Sequence, residues 1–87
     1  MYILDIKPEL DKKLENIYKK NRKQFDIIMK KTDEVLKDPH RYKNLRKPKQ
    51  HLKRVHIDKH FVLTFKINEN EKMVVLMDYD HHDNIYK

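Results

Sequence analysis

Five consecutive apolar residues, Met73-Val74-Val75-Leu76-Met77, stand in a chain of 87 residues of which 40% are charged and 38% apolar. A run of this length is far too short to cross a bilayer. Rich in β-branched residues and bounded by Lys72 and Asp78, it reads as a strand that is apolar on both faces and belongs in the interior of a sheet. With so few apolar residues elsewhere, the chain has material for one compact core near the lower size limit of an independent domain. One domain over residues 1–87 is therefore expected, with a heavily ionised surface and stability that a surface-covering partner would increase.

The remaining apolar residues supply the neighbours of that strand. Tyr2 to Ile6 forms a short first strand. Pro8 suits the first turn of a helix, with Glu9 and Asp11 near its positive end. Leu10, Leu14, Ile17 and Tyr18 recur on one face of that helix, and Phe25, Ile28, Met29, Thr32, Val35 and Leu36 on one face of a second that stops before Pro39. The break at Asn21-Arg22-Lys23 is short, so the two helices form an antiparallel hairpin able to cover one side of a sheet. The basic stretch from His40 to Gln50 reads as a loop or irregular arm. Strands follow at about Leu52–Ile57, His60–Ile67 and Lys72–Asp80. The order β-α-α-β-β-β defines an α+β domain, with a helical hairpin on one face of a mainly antiparallel sheet.

The chain has no glycine and no cysteine. Glycine-rich phosphate loops, dinucleotide fingerprints and the usual nucleophile elbow are thereby excluded, as are disulfides and thiolate zinc sites. Turns fall to residues such as Asn68-Glu69-Asn70-Glu71. A cytoplasmic location is expected, since no signal-peptide apolar segment opens the chain.

The net charge of +7 is concentrated. Between Arg41 and His60, eight basic side chains (Arg41, Lys43, Arg46, Lys47, Lys49, Lys53, Arg54 and Lys59) oppose the single acid Asp58, a net +7; the 13 basic and 13 acidic groups elsewhere cancel. Such a field attracts polyanions, and nucleic acid is the expected partner. Val55 and Ile57 share the strand face that should meet the helices, which leaves Arg54 and His56 on the other. The chain then ends Asp78-Tyr79-Asp80-His81-His82-Asp83-Asn84-Ile85-Tyr86-Lys87, gathering imidazoles, carboxylates and a phenol at a strand end. Histidine titrates near neutrality, so this arrangement points to proton transfer. On a continuing strand Asp78, Asp80 and His82 would share a face and form a competing Mg²⁺ or Mn²⁺ site.

Two stretches carry a family resemblance. Leu52-Lys53-Arg54-Val55-His56-Ile57 followed by Phe61-Val62-Leu63-Thr64-Phe65-Lys66-Ile67 is similar to the basic strand pair of the RelE/ParE toxin superfamily. Residues Asp78 to Tyr86 resemble its terminal motif, in which a His or Arg precedes an aromatic residue by four. The chain most resembles the RelE-like ribonucleases of type II toxin-antitoxin systems. The resemblance implies a ribosome-dependent endoribonuclease that cleaves mRNA in the A site and so inhibits translation. It also implies a RelB-like antitoxin, a toxin-antitoxin heterotetramer, and contact with operon DNA only through the antitoxin.

By position, the resemblance assigns Arg54 and His56 to the scissile phosphate, His82 to the general acid and Tyr86 to holding the nucleotide. His81 falls at a position that is often histidine. His60 or Val62 stands where the family often has an arginine, and His81-His82 replaces a common histidine-arginine pair. Metal-free cleavage by the 2′-hydroxyl needs a base, an acid and positive charge at the phosphate. His56 or His60 is the expected base. Arg54 with Lys53 is expected to stabilise the phosphate, and Arg41, Lys43, Arg46, Lys47 and Lys49 to contact RNA backbone without reading sequence. No metal or other cofactor is expected. Two non-nuclease alternatives are a ParE-like toxin acting on DNA gyrase and a non-catalytic RNA- or ribosome-binding module.

Overall fold

The computed structural model describes residues 1–86 and is built on a four-stranded sheet in the order β1-β4-β3-β2. The strands are β1 (Ile3–Ile6), β2 (Lys53–His56), β3 (Phe61–Asn68) and β4 (Met73–His81). β4 pairs parallel with β1 and antiparallel with β3, and β3 pairs antiparallel with β2. The apolar run is thus central, as its composition requires. Two helices, α1 (Pro8–Lys20) and α2 (Arg22–Lys37), cover one face, and a third, α3 (His82–Ile85), follows β4 directly. The expected α+β order holds, with strand ends displaced by a residue or so.

Local chemistry explains the hairpin. Pro8 occupies the first turn of α1, Glu9 and Asp11 lie near its N-terminus, and Lys19 and Lys20 lie in its last turn. Each charge complements the dipole at its end of the helix. Asn21 alone joins the helices. Its N–H donates to the Ile17 carbonyl at 2.7 Å, while its Oδ1 accepts from the Gln24 N–H at 3.1 Å. One residue therefore ends α1 and caps α2.

The main core lies between helices and sheet. Leu10, Leu14, Ile28 and Val35 meet Val55, Leu63, Phe65, Val74, Leu76 and Tyr79. A β-bulge adjusts this pattern: Thr64 pairs with Asp78 but Phe65 with Leu76, so Met77 is an extra residue in β4. Strict alternation from Val74 and Leu76 would send Asp78 and Asp80 into the core. The bulge puts Tyr79 there instead, avoiding the burial of two carboxylates.

The face that carries Arg54 and His56 is partly covered as well. Val62 is fully buried on it and packs with Leu45, Leu52 and Ile85 in a second cluster. Of the two forms expected for the basic segment, a loop or an irregular arm, it takes the first and is closed. Its backbone is clipped by Leu45 N–H to Leu52 O (2.8 Å), Arg54 N–H to Lys43 O (3.0 Å) and Lys49 N–H to Arg46 O (2.9 Å).

The glycine-free turn between β3 and β4 places Lys72 at φ 51°. A left-handed conformation costs a non-glycine residue roughly 1–2 kcal/mol. Around it, Glu69 accepts from Tyr2 Oη (2.5 Å), His40 Nε2 (2.6 Å) and Lys72 Nζ (2.9 Å). This clasp ties the hairpin to the N-terminus and to the 3₁₀ turn at Pro39–Arg41. Hydrogen bonds from Tyr2, Lys72 and His40 hold the Glu69 carboxyl down to about 2 from an ordinary 4.5.

Because the folded-state value is depressed, the clasp's contribution is complete above about pH 4.5 and lost as pH falls toward 2. Acid denaturation of Glu69→Gln, followed by circular dichroism, should show a shallower loss of stability over that interval than the parent. In the core, Phe65→Ala should cost about 3–5 kcal/mol in urea unfolding, because Phe65 is fully enclosed on a central strand.

Candidate active site

Arg54 and His56 are one pleat apart on β2, opposite Thr64 and Val62, and so point away from the helices. The end of β4 reaches them through α3. His81 supplies the N-cap, its Nδ1 accepting from the Asp83 N–H at 3.2 Å, and the His82 N–H donates to the His60 carbonyl at 2.6 Å. Ile85, 7% exposed, enters the second cluster and pins this single turn to the sheet. His82 and Tyr86 are four residues apart and face the same way.

The result is a cleft of roughly 480 Å³ in which Arg54, His56, His82 and Tyr86 form one wall and residues 44–49 the other. Arg54 Nη1 donates to His56 Nε2 at 2.9 Å. The His56 ring stacks against His82 at 6.4 Å, His82 lies 4.5 Å from the Tyr86 ring, and Arg54 Cζ sits 5.9 Å from that ring's centre. Tyr86 is 39% exposed although it is a large aromatic residue, which leaves a face for a ligand.

Burial, then the positive charges of Arg54 and His82, push the His56 pKa below 6.5. Its imidazole is therefore neutral near pH 7. Arginine can only donate, so the Nε2 lone pair accepts from Arg54 and the ring proton resides on Nδ1. A group that draws Arg54 away would free that lone pair.

The other candidates are distributed unevenly. His60 and His81 stack on each other at 5.9 Å, and His81 also meets the edge of Phe61 at 5.6 Å. They form a separate pair outside the cleft lining, with His81 committed to the cap. Arg46, Lys47 and Lys49 line the cleft, whereas Arg41 and Lys43 do not. Lys49 Nζ donates to the Ile85 carbonyl at 3.3 Å and joins the loop to the end of α3. Lys53 is one residue out of phase with Arg54, is held by the Tyr42 carbonyl (2.8 Å) and Asn44 Oδ1 (3.0 Å), and does not itself line the cleft.

The competing alignment of Asp78, Asp80 and His82, which needed a continuing strand, is not formed. β4 stops at His81 and His82 begins α3. Asp78 pairs with Lys13 at 3.0 Å, and Asp80 accepts from Asn84 at 3.0 Å. Among the described residues no group of three His, Asp or Glu side chains is placed to share a metal ion. Pro48, Asn44, Leu45 and Ile85 were not singled out from the sequence, yet all line the cleft. The usable signal was two apolar residues, Leu45 and Ile85, isolated in polar surroundings.

The sequence is 63% identical over 86 residues to an uncharacterized protein of Methanosarcina mazei, covering 99% of this chain and all of that one. It is 53% identical over 87 residues to a Methanocaldococcus jannaschii protein named "Putative toxin RelE4", covering all of this chain and 93% of the relative. A chain of the RelBE2 toxin-antitoxin complex from Mycobacterium tuberculosis shares the fold with a TM-score of 0.78 at 16% identity, over 93% of this chain and 91% of that one. No family model matches the chain. On the strength of the full-length relationship to RelE4, the chain belongs to the RelE-like family of the RelE/ParE toxin superfamily.

In an NMR titration, the His56 ring protons should report a midpoint below the ordinary 6.5. Arg54→Gln should raise that midpoint by removing an adjacent positive charge. An equal or lower midpoint in the variant would contradict the role given to Arg54.

Proposed function

We propose that this protein is the toxin of a type II toxin-antitoxin pair and a ribosome-dependent endoribonuclease that cuts mRNA in the A site without a metal. The observation that carries this reading is the convergence of Arg54, His56, His82 and Tyr86 on one basic cleft. A cation for the phosphate and two imidazoles can supply the charge, base and acid that 2′-hydroxyl cleavage of RNA needs, and the Tyr86 ring can hold a base.

In the proposed reaction, the scissile phosphate draws the Arg54 guanidinium toward itself and frees His56 Nε2. That nitrogen accepts the 2′-hydroxyl proton as the 2′-oxygen bonds to phosphorus. Arg54 offsets the charge that develops on the phosphoryl oxygens. The P–O5′ bond breaks as His82 gives a proton to the departing 5′-oxygen, leaving a 2′,3′-cyclic phosphate. Tyr86 holds a base against its exposed face. This order assigns the base to His56 rather than His60, since His60 lies outside the cleft lining.

Arg46 and Lys47, exposed on the opposite wall, contact the RNA backbone. A RelB-like antitoxin is the proposed partner, forming a toxin-antitoxin heterotetramer that touches operon DNA only through the antitoxin. The proposed setting is the cytoplasm, with residues 1–87 acting as one toxin domain. Among the described residues, no helix is long and apolar enough to cross a membrane.

In a reconstituted translation reaction, mapping of mRNA 5′ ends should show cuts within translated codons. His82→Ala should slow cutting by about 10²–10⁴-fold, the usual weight of a positioned acid, with ribosome binding unchanged. Equal cutting by the variant, or intact message with the parent protein, would refute the proposal.

A further inference from the structure

A second cavity, also roughly 480 Å³, lies beside the cleft, lined in part by the residues where β4 runs on past the end of β1. The two share Leu45, Lys49 and Ile85, which form a ridge between them. The charged and titratable groups lining this second space are Lys7, Lys13, Lys49 and His51, against Glu9 and Asp78. Three of these are already occupied. Lys13 neutralises Asp78 at 3.0 Å and donates to the Tyr79 carbonyl at 2.9 Å, while Lys49 is bonded to the end of α3. Lys7 and His51 remain exposed, and the Lys7 side chain makes no capping hydrogen bond to α1. The floor between them includes Leu10, Leu52 and Met77.

We propose that this cavity is a second nucleotide subsite, so that single-stranded RNA lies across the ridge with its cleavage point in the first cleft and a flanking nucleotide in the second. The inference rests on the ribonuclease reading and adds Lys7 and His51 as RNA-binding residues. The apolar floor accepts a base, and the two exposed basic groups hold its phosphate, which positions the strand without reading its sequence. Each space falls within the range of pockets that enclose a small organic ligand, of order 300–1,000 Å³. Continuity across the shared ridge favours an RNA strand over an acidic protein segment.

Fluorescence anisotropy with uncleavable 2′-O-methyl oligonucleotides of two and five nucleotides tests this directly. The double variant Lys7→Gln/His51→Gln should bind the pentanucleotide roughly tenfold more weakly, as expected when a charge-assisted hydrogen bond is removed, with the dinucleotide unaffected. Its log–log salt slope should flatten by about 0.7, because Lys7 no longer neutralises a phosphate. Arg54→Gln should weaken both oligonucleotides. Melting curves for both variants should match the parent, because Lys7 and His51 are exposed and Arg54 lies at the sheet edge. An unchanged pentanucleotide affinity in the double variant would give the cavity to an acidic protein segment and overturn this proposal alone. Binding that ignores Arg54→Gln would overturn it together with the role given to Arg54 in the ribonuclease reading, and no binding of either oligonucleotide would overturn this proposal alone.

Discussion

The sheet buries apolar side chains on both faces, and the rest of the structure follows from that requirement. β3 carries Leu63 and Phe65 toward the helices and Val62 and Thr64 the other way, and all four are buried. The helical hairpin covers only the first set. Val62 would otherwise leave its apolar surface in water, at a cost of roughly 25 cal/mol for each Å² exposed. Leu45 and Leu52 from the loop, with Ile85 from α3, provide the missing cover. These few contacts anchor both walls of the cleft. The small cluster is thus the mechanical support of the site as well as part of the core.

Electrostatics in the cleft works against the local charge density. The segment that includes Arg54 and His56 holds all of the chain's excess positive charge. Partial burial disfavours protonation of the His56 imidazole, and the positive charge beside it acts in the same direction. Burial first, and then the neighbouring cations, thus keep the His56 imidazole neutral. Its Nε2 lone pair is occupied by Arg54 at 2.9 Å, and in the proposed reaction it is released when a phosphate competes for the guanidinium. Lys49 shows a different use of charge, since it satisfies a carbonyl at the end of α3 rather than facing outward.

Much of the fold was legible in the residues. The helical hairpin followed from spacing at i, i+4 and i+7 and from Pro8 and Pro39, the central strand from its double-sided apolar run, and the turns from Asn and Asp in place of glycine. The pairing of Arg54 with His56 on one face followed from strand alternation alone. The resemblance also placed His82 and Tyr86 together, and four-residue spacing on a helical turn brings them side by side. Less legible were the bulge at Met77, the closed form of the basic loop and the diversion of Lys53 and His81 to structural contacts. The switch from Val74 and Leu76 to Asp78 and Tyr79 was the available sign of the bulge, because regular alternation could not satisfy both pairs.

The sequence by itself determined the periodic elements, their order and the concentration of positive charge, because each depends on residues near one another along the chain. Only the tertiary structure decided which charged groups face the cleft and which are consumed in holding it together. Lys13 meets Asp78, Gln24 meets Tyr79 and Lys49 meets Ile85 across separations of 65, 55 and 36 residues. Those partnerships arise from the packing of α1, α2, the loop and α3 around one sheet. Local patterning carries no information about which distant groups that packing brings within hydrogen-bonding distance.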